Sequence, residues 1–273
     1  MDILIPILTL GALGLLFGIG LAVASKRFTI QSDPRLERIH GLLPGANCGV
    51  CGKAGCFGFA ESILSGKLSI DACKVADEKT KEIIAQLLGK KLERQVKRVA
   101  TLHCYGGIRV KDKFLYKGIE DCVAANLVLG GQKECTFGCL GFGTCARVCP
   151  FGAISMNEER LPVVDEDKCT ACGKCVEICP NPLFSLVPFD KIYAVRCKSL
   201  DIGKEVMTVC PVGCIACHKC EKACPTGAIK VIDNLAVIDY NICDNRAECF
   251  KVCPTKTIGT RITADIKAAD IRG

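Results

Sequence analysis

Cys169-Thr-Ala-Cys172-Gly-Lys-Cys175-Val-Glu-Ile-Cys179-Pro180 is the run on which the fold turns. Three cysteines at two-residue gaps, then a fourth after three residues and before a proline, is the bacterial ferredoxin spacing. The first three thiolates wrap one 4Fe-4S cube, and the fourth turns away to ligate a neighbouring cube. A zinc site normally needs two CxxC knuckles well separated in sequence, so four thiolates this close fit tetrahedral geometry poorly. Crossed ligation also requires a partner run. Cys149, which precedes Pro150, is expected to complete the set of Cys169, Cys172 and Cys175. Its own run, Cys135-x3-Cys139-x5-Cys145-x3-Cys149, has Phe142 where the second cysteine belongs. The expectation is that Cys135 takes over, giving a cube on Cys135, Cys139, Cys145 and Cys179.

Working outward, the run is half of an internal duplication. Cys122, Cys135, Cys139, Cys145 and Cys149 recur at one constant offset as Cys197, Cys210, Cys214, Cys220 and Cys224. Cys169, Cys175 and Cys179 recur, at an offset shorter by one position, as Cys243, Cys249 and Cys253. Flanking text repeats as well, CPFGAI against CPTGAI and VVDEDKC against VIDYNIC. In the second copy Cys214, Cys217 and Cys220 are expected to share a cube with Cys253. Cys243, Cys249 and Cys224 lack a fourth thiolate, because Arg246 stands at the second-cysteine position. That site is open to a distant cysteine, a three-iron cluster, a non-cysteine ligand, or no cluster. Cys104, Cys122, Cys197 and Cys210 remain as additional candidate ligands. They are enough for another cube, yet Cys210 mirrors Cys135, and buried structural thiols are the alternative.

Upstream, Cys48-x2-Cys51-x4-Cys56-x16-Cys73 begins in LPGANCGVCGKAGCFGFA. Its glycines let backbone amides approach sulfur, and such donors tune a cluster's potential. This reads as a separate four-cysteine 4Fe-4S domain, with zinc as the competing metal.

Composition agrees. The chain has 273 residues, 23 cysteines and 49% hydrophobic residues, which excludes disorder and is too long for one disulfide knot. The odd cysteine count leaves a thiol over under full oxidation. With no Trp and 5% aromatics, stacking platforms for single-stranded nucleic acid are scarce, and no nucleic-acid partner is expected. The formal charge of +7 counts every cysteine as neutral. A 4Fe-4S core with four thiolates carries 2−, so five clusters bring the total to about −3 and remove the bulk case for a polyanion partner.

Ile3–Ala24 is an uncharged run spanning ~33 Å as a helix, enough for a bilayer core. Lys26 and Arg27 follow it while only Asp2 precedes it, which predicts a single-pass anchor with the body on the cytoplasmic side of the cell membrane. A cleaved signal peptide would carry a basic n-region and a shorter apolar core. Gly14 and Gly18 form a GxxxG step that would suit helix packing or be ordinary small residues. Asp77–Ala100 has acidic residues early, basic residues late and apolar residues at helical spacing. It is expected to be an amphipathic helix, interrupted if anywhere at Gly89. Lys90, Lys91, Arg94, Lys97 and Arg98 offer a basic face to an acidic protein, to the membrane, or to solvent.

The predicted architecture is α+β: an anchor over 1–27, a linker over 28–41, the four-cysteine domain over 42–75, an amphipathic helix and connection over 76–121, and ferredoxin-like modules over 122–190 and 191–273. No GxGxxG, no GxxxxGK[ST] and no nucleophile–base–orienter set is present, and His40, His103 and His218 are isolated. His218, between Cys217 and Cys220, would tune a cube or sit on the surface. The chain is expected to carry electrons, with no complete catalytic site of its own.

The ordered combination of anchor, LPGANCGVCGKAGC unit with Cys73, and duplicated ferredoxin modules resembles the B subunits of Rnf complexes, membrane ferredoxin:NAD oxidoreductases that translocate ions. The resemblance covers nearly the whole chain. It implies about five 4Fe-4S clusters, or six, with the one at Arg246 of open composition. It also implies electron entry from a soluble reduced ferredoxin and transfer toward flavin- and NAD-binding subunits of the same membrane complex. Two other functions fit less well. A polyferredoxin subunit of a membrane hydrogenase would co-purify with the hydrogenase, and an iron–sulfur redox sensor would need a labile cluster and an output domain.

Overall fold

A computed structural model describes residues 4–27, 33–90 and 96–261. They form two compact units, one of the described residues up to 72 together with 76–90, the other of Cys73–Val75 with 96–261.

In the first unit, α1 (Leu4–Arg27) closes on Lys26 and Arg27. Its large side chains from Ile5 to Val23 are 55–73% exposed on every face. A helix apolar all round and covered by nothing belongs in lipid, and Ile7–Arg27 is long and apolar enough to cross a membrane. The expected linker 28–41 holds a helix instead. α2 (Pro34–Leu42) starts where the Asp33 carboxylate accepts from the Arg35 N–H at 2.9 Å, with proline in the first turn. α3 (Cys56–Leu64) and a 3-10 turn (Ile70–Ala72) follow, then α4 (Glu78–Leu87). Helices of 9–10 residues are marginal alone. These three hold because Ile39, Phe59, Ile63 and Ile84 are almost fully buried against one another's elements, each removing roughly 1.5–3 kcal/mol of apolar surface from water.

The helix expected over Asp77–Ala100 stops at Leu87. Gly89 at φ +63° lets its own N–H reach Gln86 O and the Lys90 N–H reach Ala85 O, a Schellman closure that only a left-handed residue permits. Residues 91–95 lie outside the described residues. Arg98–Leu102 is a strand because a partner far downstream, Phe184–Pro188, pairs with it.

The second unit carries the duplication. β1 (Arg98–Leu102) leads into a 3-10 turn (Gly107–Arg109), α5 (Cys122–Asn126) and α6 (Thr144–Arg147). The hairpin β2 (Ile154–Met156)–β3 (Pro162–Val164), α7 (Lys174–Ile178) and β4 (Phe184–Pro188) complete the first copy. The second has β5 (Tyr193–Val195), α8 (Gly203–Val209), α9 (Lys219–Ala223), the hairpin β6 (Ile229–Ile232)–β7 (Leu235–Ile238), α10 (Glu248–Lys251) and β8 (Ile258–Thr260). In each copy the outermost strands pair antiparallel, Val99 opposite Val187 and Ala194 opposite Gly259. The first module therefore begins at Arg98 and not at residue 122. Its opening strand was invisible to a cysteine count.

Two-stranded sheets are marginal in water, and here the thiols themselves are core. Cys145 and Cys175 pack with Leu102, Ile154, Leu183 and Phe184, while Cys214 and Cys220 pack with Val195, Ile229 and Ile258.

Candidate metal centres

Four loops wrap the cysteines in one repeated backbone conformation. Counting from the first cysteine, the residues at +2 and +4 are left-handed: Gly141 and Gly143 after Cys139, Ala171 and Gly173 after Cys169, Ala216 and His218 after Cys214, Asn245 and Ala247 after Cys243. Such residues curl successive amides toward one centre, and five of the eight positions do so without glycine, at a cost of order 1–2 kcal/mol apiece. The +4 residue then starts the short helix that carries the third cysteine: α6, α7, α9 or α10.

The thiols gather around shared volumes. Cys214, Cys217, Cys220 and Cys253 line one cavity. The thiols acting on Cys172 are Cys149 and Cys169, and those acting on Cys175 are Cys169, Cys172 and Cys145. The Ala100 amide donates to the Cys169 sulfur at 3.4 Å. Cys249 faces Cys243 and Cys224.

One expected set is corrected. The cavity of Cys139, Cys145 and Cys179 is completed by Cys122, not Cys135. Asp121 caps α5 by accepting from the Val123 and Ala124 amides, and Thr144 ties that cap to α6. The Thr144 hydroxyl donates to Asp121 at 2.8 Å and accepts from the Cys122 amide at 2.7 Å. Cys122 thus stands over the loop in which Phe142 replaces a cysteine. Cys135 lines a different cavity, with Cys104, Cys197 and Cys210. The register of the repeat is corrected too: Cys104 follows β1 by two residues as Cys197 follows β5 by two, so Cys104, not Cys122, is the counterpart of Cys197. Only pairing of the outer strands could have revealed this.

The Arg246 side chain is 64% exposed, with its Nε 2.6 Å from Asp244 of the same loop. His218 is also a surface residue: its Nδ1 contacts Glu221 at 2.7 Å, and its place in the loop is owed to its backbone. His103 is buried between the Val195 carbonyl at 2.7 Å and the Ser185 hydroxyl at 2.6 Å. Burial, with Lys198 and Arg196 nearby, pulls it down to about 4 against the opposing Val195 bond, so the ring is neutral. In the first unit Cys48 and Cys51 lie in the loop before α3, which begins at Cys56, and Asn47 accepts from the Cys56 amide at 2.8 Å. Cys73 follows the 3-10 turn and is grouped with the second unit.

These surroundings fit iron–sulfur cores. Among the described residues no three Cys, His, Asp or Glu side chains meet closely enough to chelate a single ion. The thiols surround volumes, whereas a tetrahedral zinc would draw four sulfurs to about 2.3 Å from one point. Burial pushes the Cys145, Cys175 and Cys220 thiols up to about 12, with neighbouring thiols adding to it. Thiols so placed ionise at neutral pH only against a cationic centre, and a 4Fe-4S core is one.

Comparison with known proteins agrees. Residues 43–75 match the family model described as "Putative Fe-S cluster", residues 134–182 a 4Fe-4S dicluster domain, and residues 211–230 a 4Fe-4S binding domain. The B subunit of the Na(+)-translocating ferredoxin:NAD(+) oxidoreductase complex of Acetobacterium woodii is 45% identical over 94% of this chain and 77% of its own length. The B subunit of the ion-translocating oxidoreductase complex of Methanosarcina acetivorans is 42% identical over 93% of the chain and 97% of its own length. The B subunit of the proton-translocating ferredoxin:NAD(+) oxidoreductase complex of Clostridium ljungdahlii is 41% identical over 90% of the chain and 88% of its own length. With cube-binding loops, an apolar helix and full-length relatives at this identity, the chain belongs to the family of B subunits of Rnf-type ion-translocating oxidoreductase complexes, as an electron-transferring 4Fe-4S subunit.

Proposed function

We propose that this subunit takes electrons from a reduced soluble ferredoxin and relays them through its clusters toward the flavin- and NAD-binding subunits of the complex. α1 would anchor the cluster-bearing body on the cytoplasmic face, with Lys26 and Arg27 at the inner boundary. When bound, each cube supplies one-electron redox chemistry in which no atom or proton changes place. The chain's part is to hold cubes in succession and out of water. Five sets would do so: Cys48, Cys51, Cys56 and Cys73; Cys122, Cys139, Cys145 and Cys179; Cys149, Cys169, Cys172 and Cys175; Cys214, Cys217, Cys220 and Cys253; and Cys224, Cys243 and Cys249 in the loop with Arg246.

The observation that carries this reading is the four-fold repeat of one left-handed loop around thiols that, Cys217 apart, are buried or half-buried, within a chain that has no nucleotide or substrate motif. Cys217 is the one exposed thiol among the described cysteines, and exposed Lys219, Lys222 and Lys230 lie beside it or on the adjoining hairpin. That is where an acidic ferredoxin would dock. In the expected basic stretch Lys90, Lys97 and Arg98 are exposed, Lys97 lying over the Phe189 ring at 4.3 Å, while Lys91 and Arg94 lie outside the described residues. The test is stopped-flow reduction of the anaerobically purified chain by reduced ferredoxin. Entry should slow with added salt, and Lys219→Glu with Lys222→Glu should slow it and flatten the salt dependence. Salt-independent entry, or none, would refute the reading.

A further inference from the structure

Four cysteines stand outside the five sets, and they are not scattered. Cys104, Cys135, Cys197 and Cys210 line one cavity where the two copies of the duplication meet inside the second unit. Each copy contributes a matching pair. One cysteine follows the copy's first strand by two residues, and the other begins a C-x-x-G-C turn, Cys135-Thr-Phe-Gly138-Cys139 or Cys210-Pro-Val-Gly213-Cys214. The turns share their bonding. Gly138 N–H reaches Cys135 O at 3.1 Å and Gly213 N–H reaches Cys210 O at 3.3 Å. The Phe137 and Val212 amides donate to the Cys135 and Cys210 sulfurs.

The thiols are close across the seam. A Cβ placed on Gly106 would lie 3.7 Å from both the Cys104 and the Cys210 sulfur, so those sulfurs are at most twice that distance apart. The thiols acting on Cys135 are Cys104, Cys210 and Cys197, the other three of the set. Ordinary core cysteines would be distributed among apolar neighbours. Here four from four separate segments face one space, beside glycines 106, 138 and 213 that leave it open. The seam is fixed by contacts between copies: His103 on the Val195 carbonyl at 2.7 Å, and the Arg196 guanidinium over the Tyr105 ring at 4.5 Å.

We propose that Cys104, Cys135, Cys197 and Cys210 are the ligands of a further 4Fe-4S cluster held at the seam between the two ferredoxin-like modules. The site adjoins a cube site on each side. Cys139, a member of the Cys122 set, also lines this cavity, and Cys197 accepts from the backbone amide of Cys214, the first cysteine of the next set. It therefore closes the gap between modules. A one-electron oxidation on one side is matched by a one-electron reduction on the other, with no bond made or broken.

The inference rests on the electron-relay reading, and its test separates the two. The full chain, purified anaerobically, is assayed for iron and acid-labile sulfide and by EPR during redox titration. In a Cys243→Ala, Cys249→Ala background, which removes the site at Arg246 from the count, the chain binds about 20 irons with the seam cluster and about 16 without it. Cys104→Ala, Cys135→Ala, Cys197→Ala and Cys210→Ala should each lose about four irons and the same EPR signal, and Cys122→Ala should lose a different one. The inference is overturned if that background stops near 16 irons, if Cys135→Ala removes the signal that Cys145→Ala removes, or if mass analysis finds a cystine among the four. Should a seam variant fail to fold, the iron count in the Cys243→Ala, Cys249→Ala background decides, about 20 supporting the seam cluster and about 16 overturning it. A parent without iron would overturn the relay as well.

Discussion

Replacing Arg246 with cysteine should supply the fourth thiolate to a loop that now offers three, Cys224, Cys243 and Cys249. Asn245 and Ala247 flank the position at φ +62° and +68°, matching Ala171 and Gly173 around Cys172 and Ala216 and His218 around Cys217. The backbone is already bent for a second cysteine, and only the side chain departs from the pattern. Arg246 is 64% exposed and its one ion pair is to the nearby Asp244, so its removal should change stability by less than about 1 kcal/mol. Against that small loss, Arg246→Cys supplies the missing fourth ligand. The bound iron should rise by about one atom per chain if the parent site holds a three-iron cluster, and by about four if it holds none. EPR distinguishes these cases, because the oxidised three-iron signal disappears as a reduced four-iron signal appears. If iron content and spectrum match the parent while the new thiol reacts freely with an alkylating agent, the loop of Cys243 and Cys249 is not a cluster site and the equivalence of the four loops fails.

Cys122→Ala should remove one cluster, and adding Phe142→Cys should restore it, since Phe142 occupies the second-cysteine position of that loop; iron counts on the single and double variants check this, and an unrescued double variant would refute the placement of Cys122. Gly107 has φ +49°, and a Cβ there would lie 2.5 Å from the Glu159 carbonyl oxygen. Gly107→Ala should therefore destabilise the second unit by roughly 1–3 kcal/mol in anaerobic thermal melts. His218→Gly should leave the EPR spectrum unchanged and raise the melting temperature by a few degrees, because it relieves a left-handed residue costing ~1–2 kcal/mol while losing one exposed contact to Glu221. A shifted cluster potential would show instead that the imidazole tunes the cube.

What could be read from the chain divides along a physical line. The complete runs from Cys169 and Cys214 were legible because their ligands lie within a single short loop and helix, so spacing alone encodes geometry. The fourth thiol lining the Cys139 cavity was not, since it arrives from α5 through the Asp121–Thr144 cap, a tertiary link without a spacing rule. The constant offset between the two sets of cysteines misled for a related reason. From Cys104 to Cys135 the first copy runs more than twice as far as the second does from Cys197 to Cys210, and Cys122 falls by coincidence at the shorter interval. The helix predicted to Ala100 failed where Val99 and its neighbours found a pairing edge in β4, a partner whose pull outweighs local helical periodicity. The anchor was legible because no neighbour is needed to explain an apolar helix in lipid.

Crossed ligation also sets a timetable for biosynthesis. Cys139 leaves the ribosome well ahead of Cys179, and Cys214 well ahead of Cys253. At ~5–20 residues per second, each pocket waits roughly two to eight seconds with thiols on offer and its closing ligand unmade. During that interval the nascent chain carries thiols open to oxygen and to stray copper or zinc, and a crossed pocket can close only once its second half has been translated.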